Sequence, residues 1–206
     1  MYQYIHNPIE IEKRSFEIIE KEMNNKALSG IQKEVVKRVI HTTTDFEYED
    51  ILAFKEESIE QFMEAFNQGV TLITDTQMIL AGLNKNLLKK FNLQAKCFIG
   101  EEGIREYAKE HQITRSMAAV DYALERPGKK LFIVGNAPTA LYRLLEKYDS
   151  HKEEIVGVIG VPVGFVGAKE SKEALWESEI PCMITKGRKG GSTVAVAMLH
   201  ALLKQM

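Results

Sequence analysis

The chain has 206 residues, 45% of them hydrophobic, which is enough to bury the core of one α/β domain. Its 27 basic and 29 acidic residues leave a formal charge of −2, so no overall basic field exists to hold nucleic acid or an anionic membrane, and an anionic ligand must find a local basic pocket. No apolar run approaches the roughly 20 residues of a membrane span, and Met1–His6 lacks a basic leader followed by an apolar stretch, so a cytoplasmic protein without nucleic-acid or membrane partners is expected.

In chain order, Ile9–Met23 and Ile31–Ile40 read as helices, and the first 68 residues offer no good strand. His41 ends the second helix, because the β-branched run Thr42-Thr43-Thr44 disfavours its continuation. The imidazole then sits at the negative end of a helix dipole, which favours imidazolium and raises its pKa, as suits a group that delivers a proton near neutrality. A histidine that only caps carbonyls is the other reading. Arg38 lies three residues earlier on the same helix face and acts the opposite way unless an anionic ligand neutralises it.

The amphipathic stretch Asp50–Asn67 leads to predicted strands at Val70–Thr74 and Ala95–Ile99. Thr114 reads as the N-cap of a helix over Thr114–Glu125. Arg115 then falls in the first helical turn, where the dipole disfavours a cation; a bound anion would resolve the conflict, and a solvated arginine is the alternative. The strand Leu131–Val134 ends in Gly135-Asn136-Ala137-Pro138-Thr139, with a glycine for a tight turn, Asn136 able to cap and Pro138 suited to the first turn of the helix Thr139–Lys147. A plain strand-to-helix connection would look the same.

The strand Ile155–Val161 runs into the glycine-rich segment Gly157–Gly167, which lacks the G-x-G-x-x-G spacing of a dinucleotide site. The strand Cys182–Thr185 enters Lys186-Gly187-Arg188-Lys189-Gly190-Gly191-Ser192, ahead of the helix Ser192–Leu203. That loop does not fit a P-loop, but exposed backbone N–H groups, three cations and a helix N-terminus make it a candidate carboxylate or phosphate cradle. The alternation implies a single α/β domain over residues 1–206: a mostly parallel sheet of about five strands, helices on both faces, the N-terminal helices outside the sheet and ligands at the strand carboxyl ends. Cys97 and Cys182 form no CxxC, and the five histidines have no i,i+4 pair, so no protein-built metal site is expected.

Seven segments, in order, resemble the precorrin-8X methylmutase family and more closely its cobalt-precorrin-8 branch: Ile11–Ile19, Arg38-Val39-Ile40-His41, Ile73–Met78, Thr114-Arg115-Ser116, Gly135–Leu141, Gly160–Lys172 and Gly187–Ser192. The resemblance implies an isomerase of corrin biosynthesis that moves a methyl group from C-11 to C-12 of a tetrapyrrole, acting as a homodimer with sites near the subunit interface. It places His41 at the family's catalytic histidine, and Ser15 and Arg38 near bound tetrapyrrole. Arg115, Asn136 and Arg188 fall in matching motifs, and their substrate-binding roles are inferred from charge and loop placement. The resemblance also implies no dissociable cofactor, and any cobalt arrives within the substrate macrocycle. Thr42–Tyr48 looks like the cobalt branch, where coordinated pyrrole nitrogens cannot readily accept a proton, so His41 would act on carbon or on the periphery. Two other readings stand beside this one: a non-catalytic corrinoid carrier, which would shift the ligand's spectrum once and stop, and an α/β transferase using Lys186–Ser192, which would bind nucleotide saturably.

Overall fold

The computed structural model describes residues 4–25 and 27–206; Met1–Gln3, part of the Met1–His6 segment read above, and Lys26 lie outside the described residues. One six-stranded sheet organises them, in the order β1 (Leu52–Phe54), β6 (Cys182–Thr185), β5 (Ile155–Gly160), β4 (Lys130–Val134), β2 (Thr71–Thr74) and β3 (Gln94–Lys96). Every neighbouring pair is parallel except β1 and β6, which run antiparallel with Leu52 opposite Thr185. The expected mostly parallel sheet is present, with six strands where about five were expected.

The extra strand overturns the expectation that the first 68 residues contain none. Asp50–Asn67 is not one amphipathic stretch but the end of a short helix α3 (Tyr48–Ile51), the edge strand β1 and a helix α4 (Ser58–Asn67). Three residues are too few to show a period of two, and Leu52-Ala53-Phe54 is strand because β6 offers it an open edge.

Side chains alternate across the sheet: Leu131 and Ile133 of β4 enter one hydrophobic layer, Phe132 and Val134 the other. Against the first layer lie α4, α5 (Gln77–Gly82) and α11 (Ser192–Lys204), with α2 (Gly30–Thr43) stacked on α11 and α1 (Pro8–Glu22) on α2. The N-terminal helices thus pack outside the sheet, as expected. α6 (Lys85–Lys90) and α7 (Ile104–Glu110) are short connectors, and α8 (Arg115–Leu124), α9 (Pro138–Lys147) and α10 (Ala168–Glu177) cover the second layer. α11 is apolar nearly all round because it is sandwiched between the sheet and Val35, Val36, Val39 and Ile40 of α2. Truncating its buried Leu199 or Leu202 to Ala removes core contacts worth about 2–5 kcal/mol.

α2 does not stop at Ile40 but continues through Thr43, with Thr44 as a left-handed C-cap. The threonines are accommodated because their hydroxyls bond back into the helix, Thr42 Oγ1 to Arg38 O and Thr43 Oγ1 to Val39 O, both at 2.9 Å. At the other end of the architecture, the parallel strands bring the loops after β2, β4, β5 and β6 to one rim.

Candidate functional site

Asp75 organises the rim. It follows β2, and its carboxylate accepts the backbone N–H groups of Gly135 at 3.0 Å, Asn136 at 2.9 Å and Ala137 at 2.8 Å. Burial pushes its carboxyl above the ordinary range while those N–H bonds pull it down. Gly135 is required here, since a Cβ would lie 2.9 Å from the Ser192 backbone where α11 begins. Thr114 caps α8 by accepting the Met117 N–H at 3.2 Å, and its hydroxyl meets that of Thr139 at 2.9 Å. Asp75, Thr76, Gln77, Thr114, Arg115 and Asn136 border an open cleft of about 430 Å³.

Arg115 stands in the first turn of α8, as its sequence position predicts, exposed and without an ion pair among the described residues. Asn136 also reaches the cleft, but it does not cap α9 as expected. Ala137 takes that position: with Asn136 as N-cap the N2 residue would be Pro138, which has no N–H to be capped, and the Asn136 side chain is left exposed.

The Lys186–Ser192 loop is less open than its sequence suggests. Gly191 N–H donates to Val161 O at 2.8 Å, and Gly164 N–H donates to Arg188 O at 3.2 Å. Gly190 has φ +153°, and a Cβ there would sit 2.1 Å from Val161 O, so the loop lies directly on the segment after β5. The Lys189 ammonium pairs with Asp45 at 2.5 Å and Glu47 at 2.8 Å; these carboxylates hold it well above the ordinary lysine range. The cradle of three free cations is corrected to two, Lys186 and Arg188, since the protein supplies its own anions to Lys189. Arg188 is exposed, its guanidinium 5.6 Å from the centre of the Phe165 ring.

His41 belongs to a separate corner formed by α1, α2 and the end of α11. Its ring stacks on Phe16, centroids 5.1 Å apart and planes within 14°. Arg38 lies 4.4 Å above the same Phe16 ring and pairs with Glu12 at 2.8 Å, while Lys204 reaches Glu12 at 3.2 Å. Glu12, Ser15, Phe16 and Ile19 share one face of α1; Ser15 is half-buried, its hydroxyl donating to Ile11 O at 2.8 Å. Arg38 and His41 therefore meet at Phe16 within one chain, and Ser15 lies on the α1 face that carries Phe16. The His41 pKa lies below the ordinary histidine value, not above it: burial comes first and the Arg38 cation second, with Glu12 opposing and Lys204 adding to the depression. The expected dipole effect is outweighed, because the helix runs two residues past His41 and its carbonyl end lies at Thr43.

The described hydrogen bonds, ion pairs and ring contacts join neither Arg115, Asn136 nor Arg188 to His41. The structure thus collects the six selected residues into the corner (Ser15, Arg38, His41), the cleft (Arg115, Asn136) and the neighbouring loop (Arg188). Asp75, Glu12 and Phe16 escaped selection. An acid at the end of a strand, just before the Thr76 N-cap, was the available signal for Asp75; Glu12 and Phe16 at i,i+4 mark the face of α1 that meets α2. Among the described residues no cluster of three His, Cys, Asp or Glu side chains is placed to hold a metal, and no helix is long and apolar enough to cross a membrane.

Residues 10–205 match the sequence pattern of the family described as precorrin-8X methylmutase. The chain belongs to the precorrin-8X methylmutase family. It is 48% identical to a cobalt-precorrin-8 methylmutase of Salmonella typhimurium over 206 residues, covering 97% of this chain and 96% of the relative. A precorrin-8X methylmutase of Pseudomonas aeruginosa is 33% identical, with 98% of each chain covered. The solved precorrin-8x methyl mutase of Thermus thermophilus superposes with a TM-score of 0.85 at 36% identity, over 94% of this chain and 96% of that one. The methylmutase is accordingly an isomerase of cobalamin biosynthesis.

Proposed function

We propose that this methylmutase moves the C-11 methyl group of cobalt-precorrin-8 to C-12, giving cobyrinate, with His41 as general acid/base. The carrying observation is the His41 corner: an accessible imidazole held flat against Phe16, beside Arg38, in the chain segment that matches the family. The depressed pKa leaves this imidazole mostly neutral at pH 7, so it can accept a proton and return it within one turnover. The higher identity to relatives named for the cobalt substrate favours that form over the metal-free one. Methyl migration conserves mass, and it asks the protein for orientation and one mobile proton rather than a nucleophile. Arg115 and Arg188 are suited to the rim carboxylates of the macrocycle, Arg38 would exchange its Glu12 partner for one, and Asn136 and Ser15 are neutral hydrogen-bonding partners. The test is incubation with cobalt-precorrin-8: a spectral change without mass change and with many turnovers supports the reading, whereas a stoichiometric shift that stops identifies a carrier.

The site is completed, in this proposal, by a second copy of the chain working in the cytoplasm. Within one chain no described hydrogen bond, ion pair or ring contact joins the corner to the cleft, and a broad ring needs both; a symmetric dimer would set the corner of one subunit against the cleft of its partner. Such an interface should bury at least about 1,200 Å². Mixed dimers of His41→Ala and Arg115→Ala subunits decide it. A shared site restores one of two sites, because both lesions then fall in the other; a site within one chain restores none.

A further inference from the structure

Lys172, on α10, is fully buried, with 0% of its surface exposed. Its ammonium lies under the Lys186–Gly191 loop and donates to Lys189 O at 2.8 Å and Thr185 Oγ1 at 3.1 Å, and the Thr185 hydroxyl donates in turn to Lys189 O at 2.7 Å. Two acceptors satisfy the two N–H bonds of a neutral amine, but an ammonium has three N–H bonds and a charge. No carboxylate pairs with it among the described residues, although a buried cation is costly unless paired. The charged groups on the surrounding elements are engaged elsewhere. Lys189 pairs with Asp45 and Glu47, Arg143 of α9 with Asp121 and Glu146, and Lys169 of α10 with Glu173; Glu170, Glu177, Lys186 and Arg188 are exposed, and Cys182 of β6 is a buried thiol directed at Leu175 O.

We propose that Lys172 is the buried counter-charge of an anion site on this loop: it ties the loop to the end of β6 through hydrogen bonds donated to Lys189 O and Thr185 Oγ1, and a carboxylate bound above completes its charge, so that ligand binding draws a proton onto Lys172. The inference rests on the reading of the ligand as a polycarboxylate macrocycle. Burial alone pushes the amine down to about 8, so near that pH the free protein is poised between its two forms. A carboxylate placed beside Arg188 acts through the protein at an effective dielectric of about 20 rather than 80, and its field reaches the amine one residue away. Lys172 is thereby a positioning residue, acting on the ligand through the loop.

The test is calorimetric titration of the protein with cobyrinate, in pairs of buffers with different ionisation heats, at about pH 8 and pH 6.5. Wild type is expected to take up about half a proton per site near pH 8, and close to none from Lys172 at pH 6.5, where the amine is already charged. His41 and His200 both lie below the ordinary histidine value, and so titrate on the acid side of this window. Lys172→Met should abolish the uptake near pH 8 and weaken binding roughly tenfold at neutral pH. Lys172→Arg keeps the charge without titrating, so it should bind at wild-type strength without the uptake, and it serves where Lys172→Met fails to fold. Wild type that binds cobyrinate without uptake near pH 8, or uptake that persists in either variant, overturns the proposal. Wild type that does not bind cobyrinate at all overturns the functional reading as well, a different and distinguishable result.

Discussion

The rim and the corner are built by opposite means. At the rim, a carboxylate fixes three consecutive backbone N–H groups, glycines bring β4 and β5 against the start of α11, and Thr76 reaches Ser192 across 3.1 Å. At the corner, side chains on three helices meet through exposed or half-exposed ion pairs and a ring stack. Backbone loops locked by hydrogen bonds to one carboxylate hold a shape, whereas partly solvated ion pairs hold a charge balance that a ligand can alter. On the function proposed above, the rim would receive a substrate of fixed outline and the corner would move a proton.

The most severe way to break the corner is His41→Ala. Turnover should fall by roughly 10²- to 10⁴-fold, while thermal stability stays close to wild type because the ring is on the surface. A variant keeping more than half of wild-type turnover would remove His41 from the chemistry. Asp75→Ala is the counterpart at the rim. It strips three N–H groups of a charged acceptor, and denaturant unfolding should register a loss of about 2–4 kcal/mol. Glu12→Ala, by contrast, opens ion pairs at a half-exposed carboxylate and should cost less than about 1 kcal/mol. Equal losses in the two variants would erase the distinction between the regions.

A smaller effect separates binding from chemistry. Arg115→Ala and Arg188→Ala should each weaken cobyrinate binding by about 1.5–3 kcal/mol, less where the contact stays wet, and should flatten its salt dependence. An unchanged affinity and salt slope in both would return these arginines to the solvent.

Much of this contrast was legible in the sequence, though unevenly. Parallel strands announce themselves as apolar runs followed by turn residues, so β2, β4, β5 and β6 and their loops were found, and Thr114 advertised its cap. β1 was invisible because three residues carry no periodicity and only the β6 edge makes them a strand. Asn136 was read as a cap, but the helix starts one residue later, with Pro138 at N1, and nothing local reveals that Asp75, some 60 positions earlier, holds the backbone N–H groups of Gly135, Asn136 and Ala137. Lys189 looked free for the same reason: Asp45 and Glu47 reach it from the far end of the chain. His41 was given the wrong sign of pKa shift. The threonines after it extend the helix rather than end it, and burial has no signature in spacing.

That sign gives the most delicate test of the corner. Arg38→Met removes the second cause of the His41 depression and leaves burial in place, so the His41 pKa should rise toward its ordinary value, by an amount that NMR titration of the ring protons can follow. The linkage has a definite direction. A histidine whose folded pKa is depressed contributes stability that is present above its unfolded pKa of about 6.5 and is lost as pH falls through the folded value. Wild type should therefore lose stability on mild acidification below about pH 6.5, and Arg38→Met should lose less over the same window. The acid limb of the rate profile should move upward in pH with the imidazole, because the neutral form needed to accept a proton is then depleted sooner. A His41 pKa that stays put or falls in Arg38→Met would mean that Glu12, released from Arg38, turns to Lys204 alone, and that the corner sets its charge balance without the arginine.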